Sequence, residues 1–262
     1  MASEIVDFPH QEFLGVPVTG LSLERTLELI DQGIRNGQRL QHVSVNVAKF
    51  VSMRHDSDLD QDVRSSNIVG IDGMGILWAG RLLGQDLGFR VAGIDLMAEL
   101  LRLCANKGYR PYLLGARPDV LEEAVARIRS THPAIQFAGC HHGYFKVEEE
   151  PAIVENISLS RADCLFVGMP TPRKENFLAR NRAQLDVPFI MGVGGSIDVF
   201  AGLVKRAPLA VQRLGLEWFF RTIQEPRRLG PRYIRTNAAF ALIVIRALAA
   251  RFFVTKQVGV SK

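Results

Sequence analysis

Short apolar runs rich in β-branched residues alternate, through residues 13–202, with longer segments whose apolar positions recur every three or four residues. The first pattern is typical of buried strands and the second of amphipathic helices, so the chain is predicted to fold as an α/β domain. We expect a parallel or mostly parallel sheet with helices on both faces. The predicted strands are residues 13–18, 42–47, 67–71, 110–114, 135–139, 164–167 and 189–193. The predicted helices are residues 22–35, 48–56, 93–106, 118–131, 149–160 and 172–184.

Proline and glycine positions agree with these helices. Pro118 and Pro172 stand where a first helical turn tolerates proline, and Gly108 follows the end of a predicted helix. Near the C-terminus, Pro231 is expected to restart a helix over residues 232–253. The local punctuation therefore supports the element boundaries drawn from periodicity.

The C-terminal part of the chain is strongly basic. Residues 204–262 carry 12 Lys and Arg against 2 Asp and Glu, whereas the other 203 residues carry 20 against 25. We therefore divide the chain into a main domain, 1–203, and a basic helical appendage, 204–262. Arginines interleaved with aromatic residues are typical of nucleic-acid-binding and membrane-binding segments, and charge alone does not distinguish the two.

The predicted helix 232–253 is amphipathic. At 100° per residue, Arg232, Arg235 and Arg246 fall within about 60° of one another. Much of the opposite side is formed by Phe240, Ile243, Val244 and Ala247. Such a helix lies at a membrane interface, or it docks on the main domain or a neighbouring subunit, and both alternatives stay open. The apolar run 238–245 is shorter than the ~20 residues that span a bilayer, so we expect peripheral contact rather than crossing.

Two further features favour a reducing cytosol. Residues 1–18 contain acidic residues but no Lys or Arg, and they lack the continuous apolar core of a signal peptide. Cys104, Cys140 and Cys164 are widely spaced, form no CxxC pair and lie in or beside apolar runs. This pattern predicts buried, reduced thiols.

Glycine and polar residues cluster where the predicted strands end. In a Rossmann-like sheet these ends lie at one edge, which is where such folds bind ligands. Glycines there let backbone N–H groups approach a phosphate or ribose, and the following helices direct their positive ends at an anion. The sequence therefore predicts a ligand that contains a nucleotide. The strand-end segments are residues 44–46, 70–75, 114–117, 139–145, 167–170 and 192–198.

Asp72 follows an apolar strand and precedes Gly73 and Gly75, so its carboxylate is expected to project into the cleft at this edge. A carboxylate with a raised pKa can take a proton from a hydroxyl nucleophile. From spacing alone, the commoner alternative is an Asp-Gly turn in which the side chain bonds its own backbone. The sequence pattern by itself leaves both interpretations open.

Motifs for metals and common cofactors are missing from the sequence. The acidic run 56–62 differs from a calcium loop, since Gln61 replaces the required glycine and Asn67 the required glutamate. We interpret it as a solvated helix–loop junction. HExxH, GxxxxGK[ST], GxSxG and GxGxxG motifs do not occur. We predict no catalytic metal and no cofactor.

An ordered set of short motifs resembles the WecG/TagA/CpsF family of bacterial glycosyltransferases. The similarity runs from about residue 13 to residue 235, and no single motif carries it. The motifs are Ser44-x-Asn46, Asp72-Gly73-Met74-Gly75, Arg90-Val91-x-Gly93-x-Asp95-Leu96, Leu113-Leu114-Gly115, Gly143-Tyr144-Phe145, Val167-Gly168, Pro172-Arg173-Lys174-Glu175, Gly192-Val193-Gly194-Gly195-x-x-Asp198 and the block 204–233.

The resemblance implies a metal-independent, inverting transfer of a sugar from a nucleotide diphosphate, usually UDP, to a polyprenyl (undecaprenyl) diphosphate-linked saccharide. It places this reaction in exopolysaccharide, capsule or wall-polymer synthesis, with the enzyme peripheral on the cytoplasmic face of the bacterial inner membrane. Under the resemblance, Asp72 is the general base rather than a turn residue. The appendage would contact an anionic membrane surface and close over the site. The resemblance is also compatible with a homo-oligomer.

The resemblance also assigns substrate-binding positions. Asn46 is expected to orient the donor sugar or the acceptor, and Arg90 to hold a polar or charged substrate group. Arg221 and Arg228 are expected to contact the diphosphates. Further residues expected at the substrate are Ser44, Gly115, Ala116, Tyr144, Gly168, Glu175, Gly194, Gly195 and Asp198, and those at lipid diphosphate or membrane are Arg232 and Arg235.

Lys174 departs from the family pattern, because many members have glutamine at this position. A lysine ammonium cannot accept a hydrogen bond, whereas a glutamine amide both donates and accepts. We expect a different donor sugar or acceptor hydroxyl, so N-acetylmannosamine, glucose and a uronic acid all stay open as donors.

Two other classes of function compete with the transferase. A nucleic-acid-binding regulator would use the basic appendage, but no recognised reading module precedes it, and we expect no nucleic acid partner. A Rossmann-type oxidoreductase would instead bind NAD(P) at the glycine-rich strand ends.

Overall fold

A computed structural model describes residues 5–258, with side chains throughout this range except those of Arg213, Arg228 and residues 252–258. The strands are β1 (Gln11–Phe13), β2 (Val16–Val18), β3 (Leu40–Val45), β4 (Ile68–Ile71), β5 (Pro111–Gly115), β6 (Gly139–His141), β7 (Cys164–Gly168) and β8 (Phe189–Gly192). The helices are α1 (Leu23–Arg35), α2 (Val47–Ser52), α3 (Ser57–Ser65), α4 (Met74–Leu82), α5 (Gly93–Lys107), α6 (Pro118–Thr131), α7 (Glu150–Leu159), α8 (Arg173–Asn181), α9 (Ser196–Phe200), α10 (Leu209–Arg213), α11 (Glu217–Gln224) and α12 (Pro226–Val258), with a 3₁₀ turn at Val147–Glu149.

The main sheet has six parallel strands in the order β4-β3-β8-β7-β5-β6. Alternate side chains of these strands enter cores on opposite faces. Helices α1, α5, α6 and α9 cover one face. Helices α2, α3, α4, α7, α8 and α12 cover the other. The expected Rossmann-like sheet with helices on both faces is confirmed, together with a C-terminal helix.

Local sequence explains the helix ends. The Ser22 hydroxyl accepts the Arg25 N–H and caps α1, and Pro118 begins α6 in the first turn. Helix α5 ends at Gly108, whose φ of 75° places it in the left-handed region. These boundaries lie within a residue or two of the predicted ones.

Several predicted elements were wrong. Residues 13–18 form no single strand, because the chain turns at Leu14-Gly15 and pairs β1 with β2 as an antiparallel hairpin. The strand expected at 135–139 begins only at Gly139, where the chain comes into register with Tyr112 of β5. Ile135 instead enters the core from a loop.

Five helices were not predicted: α3, α4, α9, α10 and α11. Residues 57–65, interpreted as part of a solvated junction, form α3, which Asp56 caps by accepting the Leu59 N–H. Asp62 of this helix is buried and accepts a hydrogen bond from Gln41 Nε2 at 2.7 Å. Helix α4 was missed because its apolar run carries no polar periodicity.

Helix α12 is continuous, so the prediction that Pro231 restarts a helix was wrong. Pro231 is the sixth residue of α12, and its missing N–H removes only the hydrogen bond to the carbonyl of Arg227 near the helix start. Phe240 and Val244 are buried in the core around Phe50 of α2, and the rings of Phe50 and Phe240 meet edge to face with centroids 5.3 Å apart. One side of α12 is therefore docked on the main domain.

The cysteine prediction is confirmed in part. Cys104 and Cys164 are buried free thiols with their sulfur atoms 3.8 Å apart. Cys140 is exposed, because it lies on β6 at the edge of the sheet.

Candidate active site

The carboxyl ends of the six parallel strands meet at one edge, as expected. The chain leaves β3 into α2 on one face of the sheet and leaves the neighbouring β8 into α9 on the other. Diverging connections of this kind open a crevice at the strand ends. The residues predicted from sequence line several parts of this edge.

Asp72 stands at the end of β4. Its N–H donates to the Val45 carbonyl at 3.0 Å, and its own carbonyl accepts a hydrogen bond from Arg90 Nε at 2.9 Å. Both bonds use main-chain atoms of Asp72 and fix its backbone, while its carboxylate lies beside the first turn of α5, with Oδ2 4.0 Å from the position of a Cβ atom on Gly93. Among the described residues, no hydrogen bond joins the Asp72 side chain to its own backbone, as the alternative Asp-Gly turn would require.

Burial raises the pKa of the Asp72 carboxyl above its ordinary value, and the nearby Glu217 carboxylate raises it further. The guanidinium groups of Arg90 and Arg221 and the N–H of Gly93 act in the opposite direction without cancelling the effect of burial. A carboxylate with a raised pKa holds a proton more strongly, which is the property required of a general base.

Asn46 and Ser44 lie beside Asp72. A Cβ atom on Gly73 would lie 3.3 Å from Asn46 Cβ, and one on Gly93 would lie 3.2 Å from Ser44 Oγ and 4.0 Å from Asp72 Oδ2. The Asn46 side-chain oxygen accepts the Lys49 N–H at 3.0 Å and caps α2. The buried Ser44 hydroxyl oxygen has no hydrogen-bond partner among the described residues. The ends of β3 and β4 and the start of α5 therefore converge around the carboxylate.

The appendage reaches the same place through a chain of charged groups. Arg90 Nη2 donates to Glu217 Oε2 at 2.9 Å. Arg206 Nε lies 3.6 Å from Glu217 Oε1, and the Arg206 guanidinium binds both Asp95 oxygens, at 2.6 and 2.7 Å. Sequence reasoning missed Glu217, Arg206 and Asp95 as site residues. One signal was present, since Glu217 is one of only two acidic residues in 204–262.

Arg221 of α11 extends the site toward the loop after β8. A Cβ atom on Gly195 would lie 3.5 Å from Arg221 Nη2 and 3.4 Å from Asp198 Oδ2. Gly194 has a φ of 51°, which favours glycine over residues with a side chain. The structure thus brings Arg221, from the block 204–233, close to Gly195 and Asp198 of the glycine-rich motif that follows β8.

A second group of predicted residues meets at the ends of β5 and β7. A Cβ atom on Gly115 would lie 2.4 Å from the Gly168 carbonyl oxygen, so these two chains approach as closely as glycine allows. The Ala116 carbonyl accepts the Gly143 N–H at 2.9 Å, which joins the loop after β6 to them. Tyr144, next in that loop, is 67% exposed.

Lys174 and Glu175 lie in the first turn of α8 and are buried. Glu175 Oε1 is contacted by the ammonium groups of Lys174 at 2.8 Å and Lys49 at 3.4 Å, and by Thr171 Oγ1 at 3.2 Å. The Lys174 side chain also packs over Gly192 at the end of β8. Lys174 is therefore engaged by protein groups at the base of the crevice, and its side chain is only 6% exposed.

The two lysines change the ionisation of their partners. Burial opposes charge on Glu175, but Lys174 and Lys49 outweigh burial and lower the pKa of Glu175 to about 2. Burial and the neighbouring Lys174 lower the pKa of Lys49 to about 7. Glu175 consequently stays ionised and holds the side chains of Lys174 and Lys49 beneath the strand ends.

The other predicted arginines lie outside this cluster. Arg232 and Arg235 are exposed on α12, and the side chain of Arg228 lies outside the part of the chain that the structure describes. Within that described part, no group of three or more His, Cys, Asp or Glu side chains is arranged to hold a metal ion. Metal independence itself stays a prediction.

Comparison with known proteins gives one family. Residues 11–252 match the family described as "Glycosyl transferase WecG/TagA/CpsF family". Among curated proteins, the chain is 38% identical over 176 residues to the N-acetylglucosaminyldiphosphoundecaprenol N-acetyl-beta-D-mannosaminyltransferase of Staphylococcus aureus strain MW2. The protein of the same name from strain NCTC 8325 / PS 47 is also 38% identical. Each alignment covers 67% of this chain and 68% of the relative.

Proposed function

The chain belongs to the WecG/TagA/CpsF family of glycosyltransferases and is a hexosyltransferase, and from this premise we propose that it moves one sugar from a UDP-sugar to a saccharide carried on undecaprenyl diphosphate. Family membership favours this reaction over the two alternatives drawn from sequence, a nucleic-acid-binding regulator and an oxidoreductase. The observation that carries the mechanism is the Asp72 carboxylate, with its raised pKa, at the edge where Ser44, Asn46 and Arg90 converge.

In the proposed reaction, Asp72 takes the proton from the acceptor hydroxyl as that oxygen forms a bond to C1 of the donor sugar. The bond between C1 and the diphosphate oxygen breaks on the opposite face, so the configuration at C1 inverts and UDP leaves with the electron pair. Arg90 and Arg221, whose charges act on Asp72, are near enough to stabilise the leaving diphosphate without a metal.

The remaining predicted residues are proposed to hold the two substrates. Asn46 has its oxygen engaged in the α2 cap, so its amide N–H groups would orient the donor sugar or the acceptor. The close strand-end glycines would accept the nucleotide. These positions are Gly115, Ala116, Tyr144, Gly168, Gly194, Gly195 and Asp198.

Family membership does not by itself give the donor sugar, because Lys174 stands where many members have glutamine. Lys174 forms an ion pair with Glu175 at the base of the crevice. The relatives are named for N-acetylmannosamine transfer to N-acetylglucosaminyldiphosphoundecaprenol. We propose the same class of acceptor, and we keep N-acetylmannosamine, glucose and a uronic acid as donors. A carbonyl group of a donor sugar that paired with a glutamine N–H could pair with an ammonium N–H as well.

The proposed function is tested by incubating the full-length protein with N-acetylglucosaminyl diphosphate lipid and UDP-N-acetylmannosamine, UDP-glucose or UDP-glucuronic acid in the presence of a chelator. We expect one donor to increase the acceptor mass by one sugar residue, with UDP released in equal amount. Reactions without acceptor measure background hydrolysis of the donor. Failure of all three donors would contradict the proposed substrates, and product that forms only after a divalent metal is added would contradict the proposed metal independence.

We also propose that the protein is peripheral on the cytoplasmic face of the membrane that carries the acceptor. Residues Leu229–Arg251 form a helix that is long and apolar enough to cross a bilayer by length and composition, although its uninterrupted apolar run is shorter than a span. One side of it nevertheless packs on the main domain through Phe240 and Val244. Its outward side carries exposed arginines beside exposed Ile234 and Ile245, a pattern that suits the membrane interface.

Helix α11 supports the same proposal, because none of its residues is buried. Trp218, Phe219 and Ile223 are 38%, 50% and 62% exposed. Tryptophan side chains are favoured at the headgroup level of a bilayer, because their rings are amphipathic. The exposed apolar side chains thus lie on the helix that also reaches the candidate active site.

Replacing Arg232, Arg235 and Arg246 together by Gln is expected to weaken binding to anionic vesicles by on the order of 100-fold, since each basic residue near such a surface contributes about 1 kcal/mol. Vesicle flotation at low salt measures the effect. The matched control replaces the exposed Arg25, Arg102 and Arg127 of the main domain by Gln and should float like the wild type. Equal flotation of both triple variants would contradict a lipid-facing α12.

A further inference from the structure

One acidic side chain of the appendage joins the candidate active site to α11. Glu217 lies in the first turn of α11 and places one carboxylate oxygen on Arg90, at 2.9 Å, and the other near Arg206, at 3.6 Å. All three side chains are largely enclosed, with exposed fractions of 21% for Glu217, 17% for Arg90 and 28% for Arg206. An ion pair with this degree of burial is screened less than a surface pair.

Both arginines are anchored at their far ends. Arg90 Nε donates to the carbonyl of Asp72, so the position of the guanidinium is fixed relative to the base. The Arg206 guanidinium donates to both carboxylate oxygens of Asp95, which lies in the first turn of α5. Gly93 begins the same turn, and its N–H favours the charged form of Asp72. A continuous series of charged contacts therefore connects Asp95, Arg206, Glu217 and Arg90. Arg90 in turn donates to the backbone carbonyl of Asp72.

The position of Glu217 on α11 also affects Arg221. Arg221 follows Glu217 by four residues, so the two side chains lie on the same side of the helix. Arg221 acts on Asp72 and lies near Gly195. Whatever holds Glu217 against Arg90 therefore also sets the approach of Arg221 to the strand ends.

Removing the Glu217 charge would leave Arg90 and Arg206 close to each other without the anion between them. The same carboxylate helps keep the pKa of Asp72 raised.

Resting on the proposed function, we propose that Glu217 is a positioning residue: it holds Arg90 against the Asp72 backbone and fastens α11 over the site, so that the base and Arg221 reach the substrates together. Glu217 does not touch the reacting atoms. It acts through Arg90 and through the docking of its own helix.

Glu217→Gln is the informative variant, because the amide oxygen still accepts a hydrogen bond from Arg90 while the charge is lost. We expect kcat to fall about tenfold, the order of a 1.4 kcal/mol change in transition-state stabilisation, with the protein folded and still binding UDP. Asp72 is active when deprotonated, and Glu217 raises its pKa, so the acid limb of the kcat/KM profile should move to lower pH in the variant. Glu155→Gln, on the exposed face of α7, is the matched control and should leave rate and limb unchanged.

A double-mutant cycle with Arg206→Met completes the test. If Glu217 works through the chain of charged contacts, the two substitutions should be strongly non-additive in the rate. An unchanged rate in Glu217→Gln, an acid limb that stays in place, or losses that simply multiply would each overturn the proposal.

Limited tryptic cleavage within residues 204–231 gives a readout besides activity: cleavage should be about fivefold faster in Glu217→Gln, as expected for a less stably docked segment. If the wild type transfers no sugar, the proposed function fails, while the cleavage rate still reports whether Glu217 fastens α11.

Discussion

Replacing Asp72 by Asn is expected to reduce sugar transfer by about 10³-fold or more, within the range that a general base contributes, while the protein stays folded and binds UDP. Asparagine has nearly the same shape as aspartate but cannot take the proton from the acceptor hydroxyl. The main-chain bonds of Asp72 to Val45 and Arg90 are retained, so the backbone at the end of β4 should not move. Initial rates with the active donor and the lipid-linked acceptor measure the loss.

Although Asp72→Asn is expected to lower the rate, it is not expected to lower the stability of the protein. Since the pKa of Asp72 is raised in the folded protein, its charged form is disfavoured by folding, and the group contributes stability only at acidic pH and loses it as pH rises through that pKa. At neutral pH, Asp72→Asn should therefore leave the melting temperature unchanged or raise it. Asp186→Asn, on an exposed surface pair, serves as the control for both measurements. Turnover near the wild-type rate in Asp72→Asn would remove Asp72 from the role of base.

Deleting residues 204–262 is expected to lower transfer by at least about 100-fold even toward a water-soluble, short-chain acceptor, the order found when one contact to a developing charge is lost. The deletion removes Arg221, which acts on Asp72, and Glu217, which holds Arg90. A role in membrane attachment alone would predict a full rate with this acceptor. The comparison of a lipid and a soluble acceptor therefore separates the two roles of the appendage.

The deletion also exposes the core around Phe50 that Phe240 and Val244 cover, so loss of folding must be distinguished from loss of chemistry. Arg221→Gln makes this distinction, because α11 buries none of its residues. We expect this variant to unfold like the wild type and to transfer about 10- to 100-fold more slowly with the soluble acceptor. Arg102→Gln, exposed on α5 and outside the candidate site, is the matched control. A truncated protein with the full rate on the soluble acceptor would show that the appendage supplies no part of the reaction.

Much of the fold could be predicted because its signals are local. Helix α6 begins and ends where periodicity and Pro118 placed it, and β7 differs from the predicted strand only by Gly168. The apolar strands of a doubly covered sheet stand out against the polar loops between them. The position of Asp72 at a strand end could be predicted for the same reason.

Several of the misses have a common physical cause, which is that tertiary contacts decided the outcome. The 13–18 segment became a hairpin at Leu14-Gly15, and α12 runs through Pro231 while its later turns are held by packing on α2. The contact between Arg90 and Glu217 joins residues 127 apart in the chain, so no local pattern could reveal it.

Lys174 shows a similar limit. The sequence indicated a changed residue in a substrate-binding motif, from which a direct contact with substrate was expected. The structure adds that Glu175 shares its carboxylate with both Lys174 and Lys49, the latter 126 residues away. The chemistry at this position therefore depends on a cluster of three side chains rather than on one substitution.

The configuration at C1 of the transferred sugar is the most direct test of Asp72 as a general base in a single displacement. It is measured by NMR of the purified product and compared with the configuration in the UDP-sugar donor. The proposed mechanism predicts inversion at C1. Retention of configuration would contradict it, because retention requires two successive displacements or attack on the same face that the diphosphate leaves.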